Sequence, residues 1–280
     1  MKLSIGFSPC PNDTFIFDAL VNRKIDTAGI EFVPVLEDVE TLNQWAINGR
    51  LDVTKISYGV LPNILSEYGM LNSGGAMGFG VGPLLITSET NRKLTAKQFN
   101  LLPIAIPGEH TTAHLLLSHV FPELTQKIFM PFHEIENAVL TNKVAAGVII
   151  HENRFTYADR GLVLLEDLGK RWEESLNSPI SLGGIALKRD LPSEVQLKVD
   201  ELIRKSLRYS ELQWPRLSDY VSLHAQEMDE SVQKKHIELY VNDFSKDVGV
   251  EGKKAVTVLL QVYHRLKGCT LEEGVEVFLH

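Results

Sequence analysis

Two cysteines, Cys10 and Cys269, are all the thiols that 280 residues contain, and they lie far apart in the chain. Such spacing supports neither a disulfide framework nor a cysteine-based zinc site, and it makes a reducing compartment the default. Long apolar runs are missing too. None approaches the roughly twenty residues that a membrane helix needs, so no membrane partner is expected. Residues 1–7 pass straight into a strand-like pattern with no h-region or small-residue cleavage site, which leads to the expectation of a cytoplasmic protein. The formal charge of −8 is spread without like-charge blocks, and a net acidic surface is a poor match for nucleic acid. Small molecules are left as the natural partners.

With 44% apolar and 23% charged residues, the chain has a globular composition and length enough for one large domain or two smaller ones. Short β-rich runs at residues 3–7, 30–35 and 53–56 alternate with helical stretches at 13–22, 39–47 and 61–68, and a Gly-rich extended segment covers 74–87. A second set follows a polar stretch at 88–93, with runs at 104–106, 128–132 and 144–150 and helices over 112–120 and 134–142. Strands alternating with helices predict an α/β architecture with mostly parallel sheets. Beyond about residue 185 the chain reads as helical. Val195, Val199, Leu202, Ile203 and Leu207 share one face of a helix over 194–212, and a last helix over 253–266 stops before Gly268. A first lobe, an inserted second lobe and a return to the first is the chain path of two-lobed, type II periplasmic-binding-protein-like folds. It predicts a discontinuous large lobe of residues 1–90 and 185–280 and a small lobe of 91–184. Crossovers are expected near 87–93 and 182–187, with a ligand cleft between the lobes.

Candidate site residues fall where such a cleft would lie. The loop after the first strand, stiffened by Pro9 and Pro11, carries Cys10 and leads to Asn12, Asp13 and Thr14, which can cap a helix or meet a ligand. No base adjoins Cys10 in sequence, and a small packed thiol accounts for it. Lys55, Ile56 and Ser57 end the third strand, where the ammonium and hydroxyl would suit an anion; a solvated lysine and a helix cap are the plain alternatives. Gly108 to Ala113 open a helix whose free N–H groups would form an anion site at Thr112 and Ala113. About forty residues on, the apolar run 144–150 ends at His151, which is either a proton acceptor delivered to the cleft or a surface residue where a strand stops. The glycines from Gly74 to Gly82 are not followed by Gly-Lys-Ser/Thr and lack a strand–turn–helix setting, which excludes a phosphate loop. His110, His114 and His119 lack the supporting Glu and carboxylates of a zinc helix, so no metal is expected.

Five short motifs together carry a family resemblance: SPCPNDTF from Ser8 to Phe15, DVTKISY from Asp52 to Tyr58, GPLL from Gly82 to Leu85, Pro107–Gly108 with Thr111 to Ala113, and GVIIHE from Gly147 to Glu152. The set resembles the 1,4-dihydroxy-6-naphthoate synthase family of the futalosine route to menaquinone, over the span from the first strand through Arg154. The resemblance implies a two-lobed binding-protein fold used as an enzyme. It implies a lyase that takes cyclic dehypoxanthine futalosine to 1,4-dihydroxy-6-naphthoate without metal or organic cofactor. Carried over by motif, His151 is the proton acceptor, and Lys55, Ile56, Ser57, Thr112 and Ala113 line the substrate site.

The chemistry suits these residue types. A ring that aromatises by losing a sugar-derived fragment must lose a proton from carbon next to a carbonyl, and an imidazole with a pKa of about 6.5 can accept it at neutral pH. Negative charge then gathers on an enolate oxygen, which donors at a helix N-terminus stabilise. Two other readings stay open on sequence: a chorismate dehydratase-type enzyme of the same pathway, and a solute-binding protein without catalysis, against which the missing export signal counts. The helical C-terminal third leaves a homodimer open.

Overall fold

In the computed structural model, which describes residues 1–268 and 276–280, the strands form two mixed sheets; Cys269 lies outside the described residues. The strands are β1 (Lys2–Phe7), β2 (Glu31–Leu36), β3 (Val53–Ser57), β4 (Tyr68–Met70), β5 (Ala76–Gly78), β6 (Leu84–Ser88), β7 (Ile104–Ile106), β8 (Lys127–Phe129), β9 (Ala146–Ile149), β10 (Leu162–Asp167) and β11 (Ile180–Lys188). The first sheet has the order β2-β1-β3-β11-β4, with β5 paired to β11, and the second runs β10-β6-β9-β7-β8.

The alternation of strands and helices predicts mostly parallel sheets, and here the structure differs. β1 pairs in parallel with β2 and β3, and β7 with β8 and β9, but β11 runs antiparallel to β3, β4 and β5, and β6 antiparallel to β9 and β10. β6 and β11 are the strands that the chain reaches on passing from one sheet to the other. No βαβ unit within one sheet delivers them, so the rule that keeps such units parallel does not apply. Sheet membership changes between Gly78 and Leu84 and again between Asp167 and Ile180, earlier than the expected crossovers at 87–93 and 182–187. At the first crossover Gly82 backs directly onto Gly169: a Cβ on Gly82 would stand 2.3 Å from the Gly169 Cα, so neither position has room for a side chain.

Local chemistry explains the elements that position the site. Cys10 is extended (φ −63°, ψ 149°) and Pro11 starts the helix Pro11–Val21, its missing N–H costing nothing at a first-turn position. That helix is buried from Pro11 to Leu20, so it lacks the polar face of a surface helix. The long helix Ser193–Gln213 covers it, and Ser206 and Ser210 donate their hydroxyls to the Ile16 and Phe15 carbonyls at 2.6 and 2.7 Å. Where a helix over 61–68 is expected, Tyr58–Asn63 forms only a 3-10 helix with Pro62 inside it, and the chain goes on to β4. The last helix, Gly249–Lys267, ends as expected at Gly268, which takes the left-handed conformation (φ +64°). Among the described residues no helix is long and apolar enough to cross a membrane.

Candidate active site

The carboxyl ends of β1 and β3, the start of helix Thr112–Val120 and the loop after β9 face one cleft of about 690 Å³, its solvent-open mouth included. Asn12, Asp13, Lys55, Ile56 and Ser57 line it from the first sheet's lobe, and Thr112, Ala113 and His151 from the second's. The residues predicted for the site thus meet, with two exceptions. Cys10 lies buried beneath the cleft, and Thr14 is turned into its own helix, its hydroxyl donating to the Cys10 carbonyl at 3.0 Å.

Lys55 and Ser57 leave β3 on one face, two residues apart. The Lys55 ammonium is already paired: it lies 2.8 Å from Asp13 Oδ1 and donates to the Gly74 carbonyl at 3.1 Å, with both side chains almost fully enclosed. The second Asp13 oxygen accepts from the Ser8 hydroxyl at 2.7 Å. Lys55 therefore neutralises a buried carboxylate at the cleft floor. Asn43, which the motifs do not single out, holds Ser57: its Oδ1 accepts the Ser57 N–H at 2.8 Å and its Nδ2 donates to Ser57 Oγ at 3.2 Å. Ser57 keeps its own hydroxyl proton for the cleft.

A second pair of residues escaped the sequence reading altogether. His236 and Tyr240 border the cleft from helix Glu230–Tyr240, four residues apart and so on one face. Only the presence of a histidine one turn before a tyrosine could have pointed to them. Asn12 Nδ2 donates to Asp13 Oδ1 at 2.9 Å, which turns Asn12 Oδ1 toward His236 Nε2, also 2.9 Å away. An amide oxygen only accepts, so Nε2 carries the ring proton and Nδ1 is a bare lone pair. That Nδ1 lies 3.9 Å from Glu152 Oε2 and has no hydrogen-bond partner among the described residues. Burial holds His236 well below its usual pKa and pushes Glu152 up to about 7.

His151 stands at φ +58°, in the left-handed region that costs a non-glycine residue about 1–2 kcal/mol. The turn it makes after β9 sends two successive side chains to one place: ligand atoms of His151 and Glu152, with the Cys10 sulfur, lie within 4.8 Å of one another. The His151 ring packs edge-on against Phe132, with centroids 4.9 Å apart, and its Nδ1 is 3.4 Å from Cys10 Sγ. Cys10 has no base beside it in sequence, but the fold brings one from 141 residues away. Burial lowers His151 to about 4, leaving it neutral at physiological pH. The thiol is raised, first by burial and then by the Glu152 charge, and stays protonated.

Helix Thr112–Val120 is capped by Thr111, whose Oγ1 accepts the His114 N–H at 3.2 Å. The Thr112 and Ala113 amides, in the first turn, have no intrahelical acceptor. The Thr112 hydroxyl is engaged, donating to the Leu182 carbonyl at 2.7 Å and accepting the Gly59 N–H at 3.1 Å. Glu40 accepts the His110 N–H at 3.1 Å, so this corner of the second lobe is tied to the first at several points. Further along the helix, His114 and His119 point their rings at Lys127 and Arg265.

Comparison with known proteins agrees with this architecture. A crystal structure of a protein from Archaeoglobus fulgidus is 32% identical, with a TM-score of 0.88, covering 95% of this chain and 98% of that one. The alkanesulfonate-binding protein of Xanthomonas axonopodis pv. citri is 13% identical with a TM-score of 0.70, over 99% of this chain and 96% of its own. At that identity the likeness concerns the fold alone, which is the two-lobed fold of periplasmic solute-binding proteins. Two relatives named 1,4-dihydroxy-6-naphthoate synthase are closer in sequence. That of Thermus thermophilus is 44% identical over 257 residues, 92% of each chain, and that of Streptomyces coelicolor is 42% identical over 270 residues, 92% of this chain and 91% of the relative. Residues 3–265 match the family described as menaquinone biosynthesis, and with these relatives beside it the chain belongs to that family.

Proposed function

We propose that the chain is a carbon–carbon lyase that converts cyclic dehypoxanthine futalosine to 1,4-dihydroxy-6-naphthoate, with His151 as the base. The names of the two relatives support the product, and the motif resemblance of Ser8–Phe15 and Gly147–Glu152 is what suggests the substrate. The observation that carries the mechanism is the 3.4 Å contact of His151 Nδ1 with Cys10 Sγ. In the tautomer that carries its proton on Nδ1, facing that sulfur, Nε2 presents a lone pair to the cleft, and burial keeps the imidazole unprotonated. Nε2 takes a proton from carbon next to the substrate carbonyl. The Thr112 and Ala113 amides meet the oxygen on which charge develops, and the Ser57 hydroxyl donates to a second polar group of the ligand. The enolate then re-forms the carbonyl and a ring double bond as the sugar-derived fragment departs with the electrons of the broken bond and takes back the proton from His151, and tautomerisation gives the aromatic diol with no net oxidation. Closure of the lobes excludes water during these steps.

The test is incubation of the purified protein with cyclic dehypoxanthine futalosine and mass spectrometry for 1,4-dihydroxy-6-naphthoate, beside a His151→Ala variant. Product from the wild type alone is expected. Tight binding of that compound without any product would make the protein a solute binder and sink the proposal.

A further inference from the structure

Beneath the cleft, three side chains with metal-binding atoms converge: Cys10 Sγ, a ring nitrogen of His151 and a Glu152 oxygen, all within 4.8 Å of one another, and Nδ1 is the nitrogen beside the sulfur. Cys10 and Glu152 are buried, and a Glu152 oxygen has no hydrogen-bond partner among the described residues. The Nδ1 of His236, 3.9 Å from Glu152, is enclosed beside that residue but does not join the group. Zinc bonds of about 2.3 Å to sulfur and about 2.0 Å to nitrogen at a tetrahedral angle separate the two ligand atoms by roughly 3.5 Å; Cys10 Sγ and His151 Nδ1 are 3.4 Å apart. One thiolate and one carboxylate balance a divalent charge, which makes burial of the ion affordable. The mixed S, N, O set favours Zn²⁺ over Mg²⁺ or Ca²⁺. His151 lines the cleft, which supplies a path inward.

We propose that Cys10, His151 and Glu152 form an inhibitory site for Zn²⁺ that bridges the two lobes. Binding converts the Cys10 thiol to a thiolate and releases its proton to solvent. The His151 proton moves from Nδ1 to Nε2 as Nδ1 becomes a ligand. Cys10 belongs to the first lobe and His151 and Glu152 to the second, so the ion also holds the lobes together. The inhibition rests on the reading of Nε2 as the base; the binding does not.

The experiment is a titration of the full chain with Zn²⁺ against a chromophoric chelator, and with Co²⁺ followed by absorption. One ion per chain is expected, with a sulfur-to-cobalt charge-transfer band. Cys10→Ser should abolish the band, and both Cys10→Ser and Glu152→Gln should weaken Zn²⁺ binding at least tenfold, while His114→Ala and His119→Ala leave it unchanged. Absence of the band in the wild type, or equal affinity in Cys10→Ser, overturns the site. Should a variant not fold, X-ray absorption of the zinc-loaded wild type decides: the first shell must contain one sulfur and an imidazole nitrogen, and a shell of oxygen and nitrogen alone refutes the proposal. In the turnover assay Zn²⁺ should lower kcat. A zinc-loaded protein with full turnover overturns the inhibitory role, whereas a protein inactive even without metal fails the lyase reading and leaves the binding result standing.

Discussion

Gly59→Ala tests how closely the cleft depends on the contact between its lobes. Gly59 follows Ser57 and Tyr58, and its Cβ would stand 2.7 Å from both the carbonyl carbon and oxygen of Thr111 and 2.9 Å from the His110 oxygen. Ordinary contact begins at 3.4 Å, so the start of helix Thr112–Val120 must retreat by roughly 0.7 Å. Both obstacles are backbone, with no flexible tip to swing aside. Overpacking of this kind costs about 1–3 kcal/mol in stability. The same retreat moves the Thr112 and Ala113 amides away from Ser57, and a displacement near 1 Å can cost roughly 10²-fold in rate. We expect kcat/KM for cyclic dehypoxanthine futalosine to fall tenfold to 10²-fold on this basis. Gly75→Ala, whose new Cβ would find its nearest neighbour at 3.5 Å, serves as the control. A Gly59→Ala enzyme with kcat/KM within twofold of wild type and an unchanged unfolding curve would refute the argument.

The other predictions concern single side chains. His151→Ala should lower kcat by on the order of 10²-fold or more with substrate binding kept; calorimetry showing that binding is lost instead would recast His151 as a binding group. Ser57→Ala should raise KM by about 2- to 12-fold, the equivalent of one neutral hydrogen bond of about 0.5–1.5 kcal/mol, and an unaltered KM would leave Ser57 a structural partner of Asn43. Lys55→Met strands the Asp13 carboxylate without its cation and should cost about 3–5 kcal/mol in urea unfolding; a loss below 1 kcal/mol would mean that Asp13 is not held as a buried charge. His151 and Glu152 pull the pH dependence of stability in opposite directions, and His236, also held low by burial, acts in the same sense as His151. His151 takes a proton near 6.5 when unfolded but only at about 4 when folded, so its part of the stability is lost as pH falls through that window. Glu152 is raised to about 7 from 4.5, so it contributes stability at low pH that is lost as pH rises through 7. Glu152→Gln removes the Glu152 contribution, and between pH 5 and 6.5 its stability should drop faster on acidification than that of the wild type, by up to about 1.4 kcal/mol per pH unit. Parallel curves would show that Glu152 does not hold a proton in the fold.

The motifs on strand ends and helix starts were legible because a short, local rule governs each. Thr111 caps, Pro11 opens a helix, and the alternation Lys55, Ile56, Ser57 decides which side chains leave β3 together. β4 was hidden behind a run that reads as helix until Pro62 breaks it. β10 and the helix after it mix apolar residues with charges, and β11 (Ile180–Lys188) is broken by Gly183 and Gly184, so no single period marks 162–188. The contacts of Cys10 with His151 and of Asn12 with His236 span 141 and 224 residues, and no pattern within either partner announces the other. Lys55 illustrates a subtler limit: its position at the strand end could be read, but its commitment to Asp13 depends on how β1 and β3 lie side by side.

The sulfur that lies against His151 Nδ1 belongs to one half of the molecule and the imidazole to the other. Any separation of the halves would take that sulfur away from the ring nitrogen that stands 3.4 Å from it. The Thr112 hydroxyl and Glu40 join the halves at further points. On the proposal that His151 is the base, its sulfur neighbour comes from the opposite half, so a substitution that shifts the halves against each other would alter the base without touching it.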